Sequence, residues 1–175
     1  MTPEQRFKCM SHNRAKNTGP ELKLRHALWR FGFRYRVNVK RLPGSPDIVL
    51  PKYRTVIFVH GCFWHGHKDC KNASTPKTNP EFWSAKILRN QQRDQDVWRQ
   101  LEAKGWYVII VWECQLKKAA FETTLANVQA EIIRNGESFL SAQNERRFAR
   151  IAYMKERKSK RQKELAFMSD IKKVH

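Results

Sequence analysis

Between His60 and Cys70 the chain gathers His60, Cys62, His65, His67, Asp69 and Cys70, with the bare aromatics Phe63 and Trp64 among them. Thiolates beside imidazoles form the donor set that zinc prefers, four at a time in a tetrahedron. Cys62, His67 and Cys70 follow a C-x4-H-x2-C spacing, and Cys114 is the other cysteine outside the N-terminal arm. A local trio closed by one distant cysteine would tie this loop to a later part of the chain. His65 rivals His67 for the middle position, and three buried thiols are the plain alternative. Cys9 is left as a free thiol.

A second chemistry uses oxygen and nitrogen donors. Asp47, His60, His65 and Asp94 are candidates for metal-assisted hydrolysis of a phosphodiester. That reaction needs a hard oxygen ligand for Mg2+, a base to activate water and a group to orient the base. One carboxylate can suffice, because Mg2+ keeps several waters and borrows substrate oxygens. Imidazole suits the base, since its unperturbed pKa lies near working pH. The same residues would also fit a second zinc site built on His60 and His65.

Composition narrows the substrate. The chain of 175 residues carries a net charge of +19 and a pI near 10.2, which points to a polyanionic partner, nucleic acid before an acidic membrane surface. Six Trp and ten Phe exclude a disordered chain. The first ten residues contain no apolar signal core, and no run approaches about 18 apolar residues, so a cytosolic chain is expected. In a reducing compartment the cysteines favour metal over disulfides.

These residues need a scaffold. Thr18-Gly19-Pro20-Glu21 is a helix start, and Leu24, Ala27, Leu28 and Phe31 share one face before Gly32 ends the helix. On residue type alone, Glu21 is an acid complementing the helix dipole. Tyr35–Val39 reads as a strand. Asp47 stands where a proline-flanked turn enters the strand Ile48–Leu50, which forms a hairpin with Val56–Val59 and brings Asp47 close to Val59-His60. Asn79-Pro80 caps a long helix to about Lys104, with Trp83, Ile87, Val97, Trp98 and Leu101 as its buried stripe. Asn90 and Asp94 lie on nearly the same face, and an inward carboxylate there is costly unless paired. Trp106–Trp112 is an apolar run expected to be a central strand buried on both faces. A helix from about Leu116 to Asn135 closes at Gly136, and residues 137–175 form a basic extension, partly helical at best.

The segments PGSPDIVL, VIFVHGCFWHGH, EFW, Gln92-Arg93-Asp94 and GWYVIIVWEC occur in an order and spacing that resemble the very-short-patch repair (Vsr-type) endonucleases. The resemblance runs from about Phe7 to Cys114 and lapses beyond about Asn135. It implies an α/β, restriction-endonuclease-like fold with a mixed central sheet flanked by helices and a structural zinc site. The implied activity is Mg2+-dependent nicking of one DNA strand at T:G mismatches, which follow deamination of 5-methylcytosine. By that resemblance Asp47 and the Val59 carbonyl hold Mg2+, His60 and His65 are the active-site histidines with His65 as base, Asp94 orients a histidine, and Glu21 lies near the metal. Cys62, His67, Cys70 and Cys114 are the implied zinc ligands. Phe63 and Trp64 become a wedge between base pairs, with Met10 entering from the opposite groove and Trp83 either supporting the wedge or plain core.

The expected organisation is an N-terminal DNA-contacting arm over residues 1–18, an endonuclease domain over 19–136 and the extension over 137–175. The partners are a duplex with a T:G mismatch and the repair proteins that resynthesise the patch, and the chain is expected to be a monomer. Two rivals stand beside it: a restriction-like nuclease with another mismatch or sequence preference, and a zinc-held DNA-binding module without catalysis.

Overall fold

The computed structural model describes residues 16–74, 76 and 78–171, with side chains to residue 161. Among them the element order is helix α1 (Gly19–Arg30), strands β1 (Ile48–Leu50) and β2 (Thr55–His60), helix α2 (Pro80–Ala103), strand β3 (Tyr107–Trp112) and helix α3 (Phe121–Ile171). Met10 and Cys9 lie outside the described residues.

α1 begins as its sequence dictates. The Thr18 side chain accepts from the Glu21 N–H, and a proline occupies the first turn, where its missing N–H costs nothing. Leu24 and Leu28 are fully buried, whereas Phe31 falls at the C-terminal cap and is 62% exposed, so it leaves the apolar stripe. At the start of α2 the expectation holds only in part. Pro80 opens the helix, but Asn79 sits in the left-handed region at φ 53° and makes no side-chain cap.

The described sheet is mixed, in the order β1-β2-β3. β1 and β2 are antiparallel with Ile48 opposite Ile57, and β2 and β3 are parallel with His60 opposite Trp112. Alternation along the strands builds two cores. Ile48, Leu50, Ile57, Ile109 and Val111 face Leu24 and Leu28 of α1 and Leu125, Val128 and Ile132 of α3. Val49, Val56 and Phe58 face the other way, with Leu101, Val97 and Trp98 of α2.

Two strand expectations are corrected. Tyr35–Val39 is not a strand: a single bridge joins Arg36 to Val49, and Asn38 turns away at φ 47°. β3 borders the sheet in place of lying at its centre. Nor is it buried on both faces: Ile109 and Val111 are buried, but Val108, Ile110 and Trp112 are only partly so and Tyr107 is exposed, because an edge strand is covered less completely.

The helix expected to stop at Gly136 continues through it. A mid-helix glycine costs only about 1 kcal/mol, and here a Cβ would lie 2.6 Å from Cδ1 of Tyr53. The glycine is a packing necessity. By internal contacts the chain divides into two units, Met1–Gly136 and Glu137–His175.

Candidate active site

β2 ends in His60 and β1 begins just after Asp47, so the hairpin register places both at one edge of the same pocket. The Val59 N–H donates to Asp47 Oδ2 at 2.8 Å, fixing the carboxylate against the strand end. The pocket, of about 1180 Å³, is lined by Glu21, Asp47, Val59, His60, Trp64, His65, Arg93, Asp94 and Glu113 among others.

Two histidines and a carboxylate converge on its floor. His65 Nδ1 lies 2.5 Å from Asp94 Oδ2, so the ring donates from Nδ1 and keeps Nε2 as its lone-pair nitrogen. Burial would push the Asp94 carboxyl upward, but its hydrogen bond to His65, the histidine charges and Arg93 outweigh that and hold it below the usual range. His60 is 4% exposed and stacks on His65, with centroids 3.7 Å apart and rings 16° from parallel. Trp98 lies 6.0 Å from His60 at 25°, and Trp112 meets it edge-on at 5.5 Å. Burial, then the neighbouring His65 charge, depresses His60 to about 3, so its ring is neutral at working pH. Its Nδ1 has no hydrogen-bond partner among the described residues.

Asp47 is a different kind of carboxylate. Burial raises it to about 6, the Val59 hydrogen bond pulls it back, and the nearby Glu21 charge raises it again. A carboxylate so penalised gains strongly from an added cation. Its ligand oxygens are not within the tight grouping of His60, His65 and Asp94, whose donor atoms lie within 4.8 Å of one another. The pocket therefore has a carboxylate wall and a histidine wall.

Glu21 is 3% exposed and fully engaged. Its oxygens accept from Asn17 N, the Thr18 hydroxyl and Arg25 NH2 at 2.9, 2.9 and 3.0 Å. The same Arg25 nitrogen donates to the Asp47 carbonyl at 2.9 Å. Arg25 thus joins Glu21 to the backbone of Asp47, and sequence reasoning passed over it. The available signal was an arginine four residues after Glu21, next to Leu24 on the buried face. Glu113 was also missed. Its Oε1 accepts from Cys62 N at 3.1 Å, joining the end of β3 to the loop after β2.

The cysteine cluster gathers as its spacing suggests: donor atoms of Cys62, His67, Cys70 and Cys114 lie within 4.8 Å of one another. His67 Nδ1 faces the sulfurs of Cys62 and Cys114 at 3.5 and 3.4 Å, and its ring stacks on Trp112 at 4.1 Å. His65, the rival ligand, is instead committed to Asp94. Burial pushes the Cys62 thiol up to about 12 and raises Cys114, whereas the Asn72 N–H lowers Cys70. Three sulfurs and one imidazole at this separation can hold a metal ion, and a divalent cation would keep the thiolates charged.

Phe63 and Trp64 belong to neither core cluster. They are half-buried against Trp83, at 5.2 and 6.0 Å between centroids, and Phe82 abuts Trp83 at 5.3 Å. The Lys86 ammonium lies 5.6 Å from the Trp64 ring. Asn90 holds the Trp64 carbonyl at 2.9 Å and Gln91 those of His65 and Gly66 at 3.2 and 3.3 Å, so α2 fixes the loop. The result is an aromatic knob beside the pocket mouth.

The family model described as DNA mismatch endonuclease Vsr matches residues 1–72. The type II nicking enzyme V.XorIIP of Xanthomonas oryzae is 46% identical over 73% of this chain and 94% of its own length. The type II nicking enzyme V.NmeAIP of Neisseria meningitidis serogroup A is 49% identical over 68% and 84%. The DNA mismatch endonuclease Vsr of Escherichia coli K12 is 44% identical over 64% and 71%. The chain belongs to the DNA mismatch endonuclease Vsr family, and it is a nuclease.

Proposed function

We propose that the protein is a Mg2+-dependent endonuclease of restriction-endonuclease-like fold that nicks one strand of duplex DNA beside the thymine of a T:G mismatch. The observation that carries this reading is the 2.5 Å contact of His65 with Asp94 in one pocket with Asp47. With Nδ1 committed to Asp94, His65 Nε2 takes the proton of the attacking water. Asp94 fixes the ring's tautomer and stabilises the imidazolium without itself being protonated. His60, neutral and stacked, holds the plane of His65 and adds no competing charge. A divalent ion at the Asp47 carboxylate and the Val59 carbonyl would supply Lewis-acid stabilisation of the charge developing on the phosphate. Glu21, through Arg25, keeps the Asp47 main chain in register for that role.

Zinc suits Cys62, His67, Cys70 and Cys114 by donor type, with a structural role. Phe63 and Trp64 are the wedge, and Trp83 backs them. Unstacking costs a few kcal/mol per step and is cheapest at a mismatch, so the wedge itself discriminates. Met10 and the rest of the arm over residues 1–18 would meet the DNA from the other groove, with the endonuclease domain at 19–136 and a basic extension at 137–175. We assign the enzyme to the cytoplasm, where its DNA substrate lies, and expect a monomer; none of the described helices is long and apolar enough to cross a membrane.

The test is nicking of a panel of mismatched and matched duplexes, with and without Mg2+. Selective nicking of T:G duplexes is expected. Equal turnover of matched DNA, or preference for another mismatch, would move the assignment to the restriction-like alternative.

A further inference from the structure

The second unit carries a charge pattern of its own. At 100° per residue, Arg146, Arg150, Arg157 and Arg161 of α3 fall within about 60° of one another around the helix. All four are exposed, and among the described residues none pairs with a carboxylate. From residue 145 to 161 the acids are Glu145 and Glu156, and both lie more than about 100° from the centre of that stripe. Glu156 neutralises Lys160 at 3.0 Å, on its own side of the helix. Of the five arginines from residue 146 to 161 only Arg147 lies off this face, at about 100° from Arg146, whereas the lysines spread around the helix. The stripe is about 22 Å long, the axial rise of roughly six phosphates on one DNA strand.

We propose that the face formed by Arg146, Arg150, Arg157 and Arg161 binds the phosphate backbone of duplex DNA without reading sequence. The proposal rests on the endonuclease reading, adding a second contact outside the catalytic unit. Guanidinium groups suit it because each can meet a phosphate with two parallel N–H donors. Such contacts release counterions, so each one adds about 0.9 to the slope of log K against log salt.

The test is fluorescence anisotropy with a matched 30-base-pair duplex from 50 to 300 mM salt, using the full chain. A variant with Arg146→Gln, Arg150→Gln, Arg157→Gln and Arg161→Gln is compared with wild type. A charge-matched control carries Lys52→Gln, Lys104→Gln, Lys118→Gln and Arg134→Gln. Glutamine keeps helix propensity close to that of arginine, and far-UV circular dichroism checks it. The stripe variant is expected to lose up to about 3.5 units of slope, which is about 100-fold in the ratio of affinities at 50 and 200 mM salt. The control is expected to lose less than one unit. Should the quadruple variant lose helicity, the two paired variants are each expected to lose about half.

Equal slopes for stripe variant and control overturn the proposal. So does an unchanged slope accompanied by loss of self-association in sedimentation, which would give the face to a second copy of the chain. Nicking of T:G and matched duplexes by the wild type is run in parallel. Loss of slope without mismatch nicking leaves this face a DNA contact and removes only the mismatch reading.

Discussion

Replacing Asp47 by asparagine should abolish activity and stabilise the magnesium-free protein, with the second effect visible only at the right pH. An amide oxygen can still accept from the Val59 N–H, so the 2.8 Å bond survives while the charge goes. Burial raises the folded-state pKa from 3.8 to about 6. The folded chain therefore binds a proton that the unfolded chain releases between those values. Stability from this group is full below about pH 4 and is lost as pH rises through about 6. A shift of this size corresponds to about 3 kcal/mol at most, a ceiling because Asp47 keeps some contact with water. For a chain of this length that is roughly 6–12 °C in melting temperature. Melting curves in zinc-containing, magnesium-free buffer should show no gain for Asp47→Asn near pH 4 and the full gain above pH 7. Nicking should fall about 100- to 1,000-fold or more, given that Lewis-acid stabilisation is worth several kcal/mol. A gain that is absent, reversed or independent of pH between 4 and 8 would refute the electrostatic reasoning.

Asp94→Asn should lower kcat about 100- to 10,000-fold with little change in KM, because His65 loses its oriented tautomer but not its place; steady-state nicking kinetics at several pH values measure this. His60 should show no imidazole titration between pH 5 and 8 in NMR spectra, since its pKa is held near 3. A folded pKa below the unfolded value of 6.5 adds stability that is present above pH 6.5 and lost as pH falls toward 3. This trend is opposite to that of Asp47, so only the difference between variants isolates either group. Cys62→Ser should release bound zinc, measured by a chelator dye, and lower stability by several kcal/mol. Phe63→Ala should reduce the preference for T:G over matched duplex by about 10-fold or more while changing matched-duplex affinity little, as competition binding would report.

Local chemistry made much of this legible. The Thr18-to-Glu21 start, the hairpin that carries Asp47 to Val59, and the inward face of Asp94 follow from capping, alternation and helical period. The existence of β3 was readable from its apolar run, but its edge position and its half-covered second face were not, since side-chain pattern says nothing of which backbone edge is paired. Gly136 read as a stop because the Tyr53 ring that demands a glycine there comes from 83 residues earlier in the chain. Arg25 and Glu113 were missed for a related reason. Each acts through a backbone group distant in sequence, the Asp47 carbonyl and the Cys62 N–H, and no local motif encodes such a partner.

β2 and β3 are parallel and end side by side at the pocket. The loop that carries His65 is held by His67 stacked on Trp112 and by Glu113 accepting from Cys62 N, pairs separated by 45 and 51 positions. A ribosome releasing this chain from its N-terminus would therefore deliver Asp47, His60 and His65 well before the residues that brace them. The loop that carries His65 lacks these two braces until synthesis has passed Glu113. Trp112 and Glu113 are thus the late-made residues for which the earlier loop must wait.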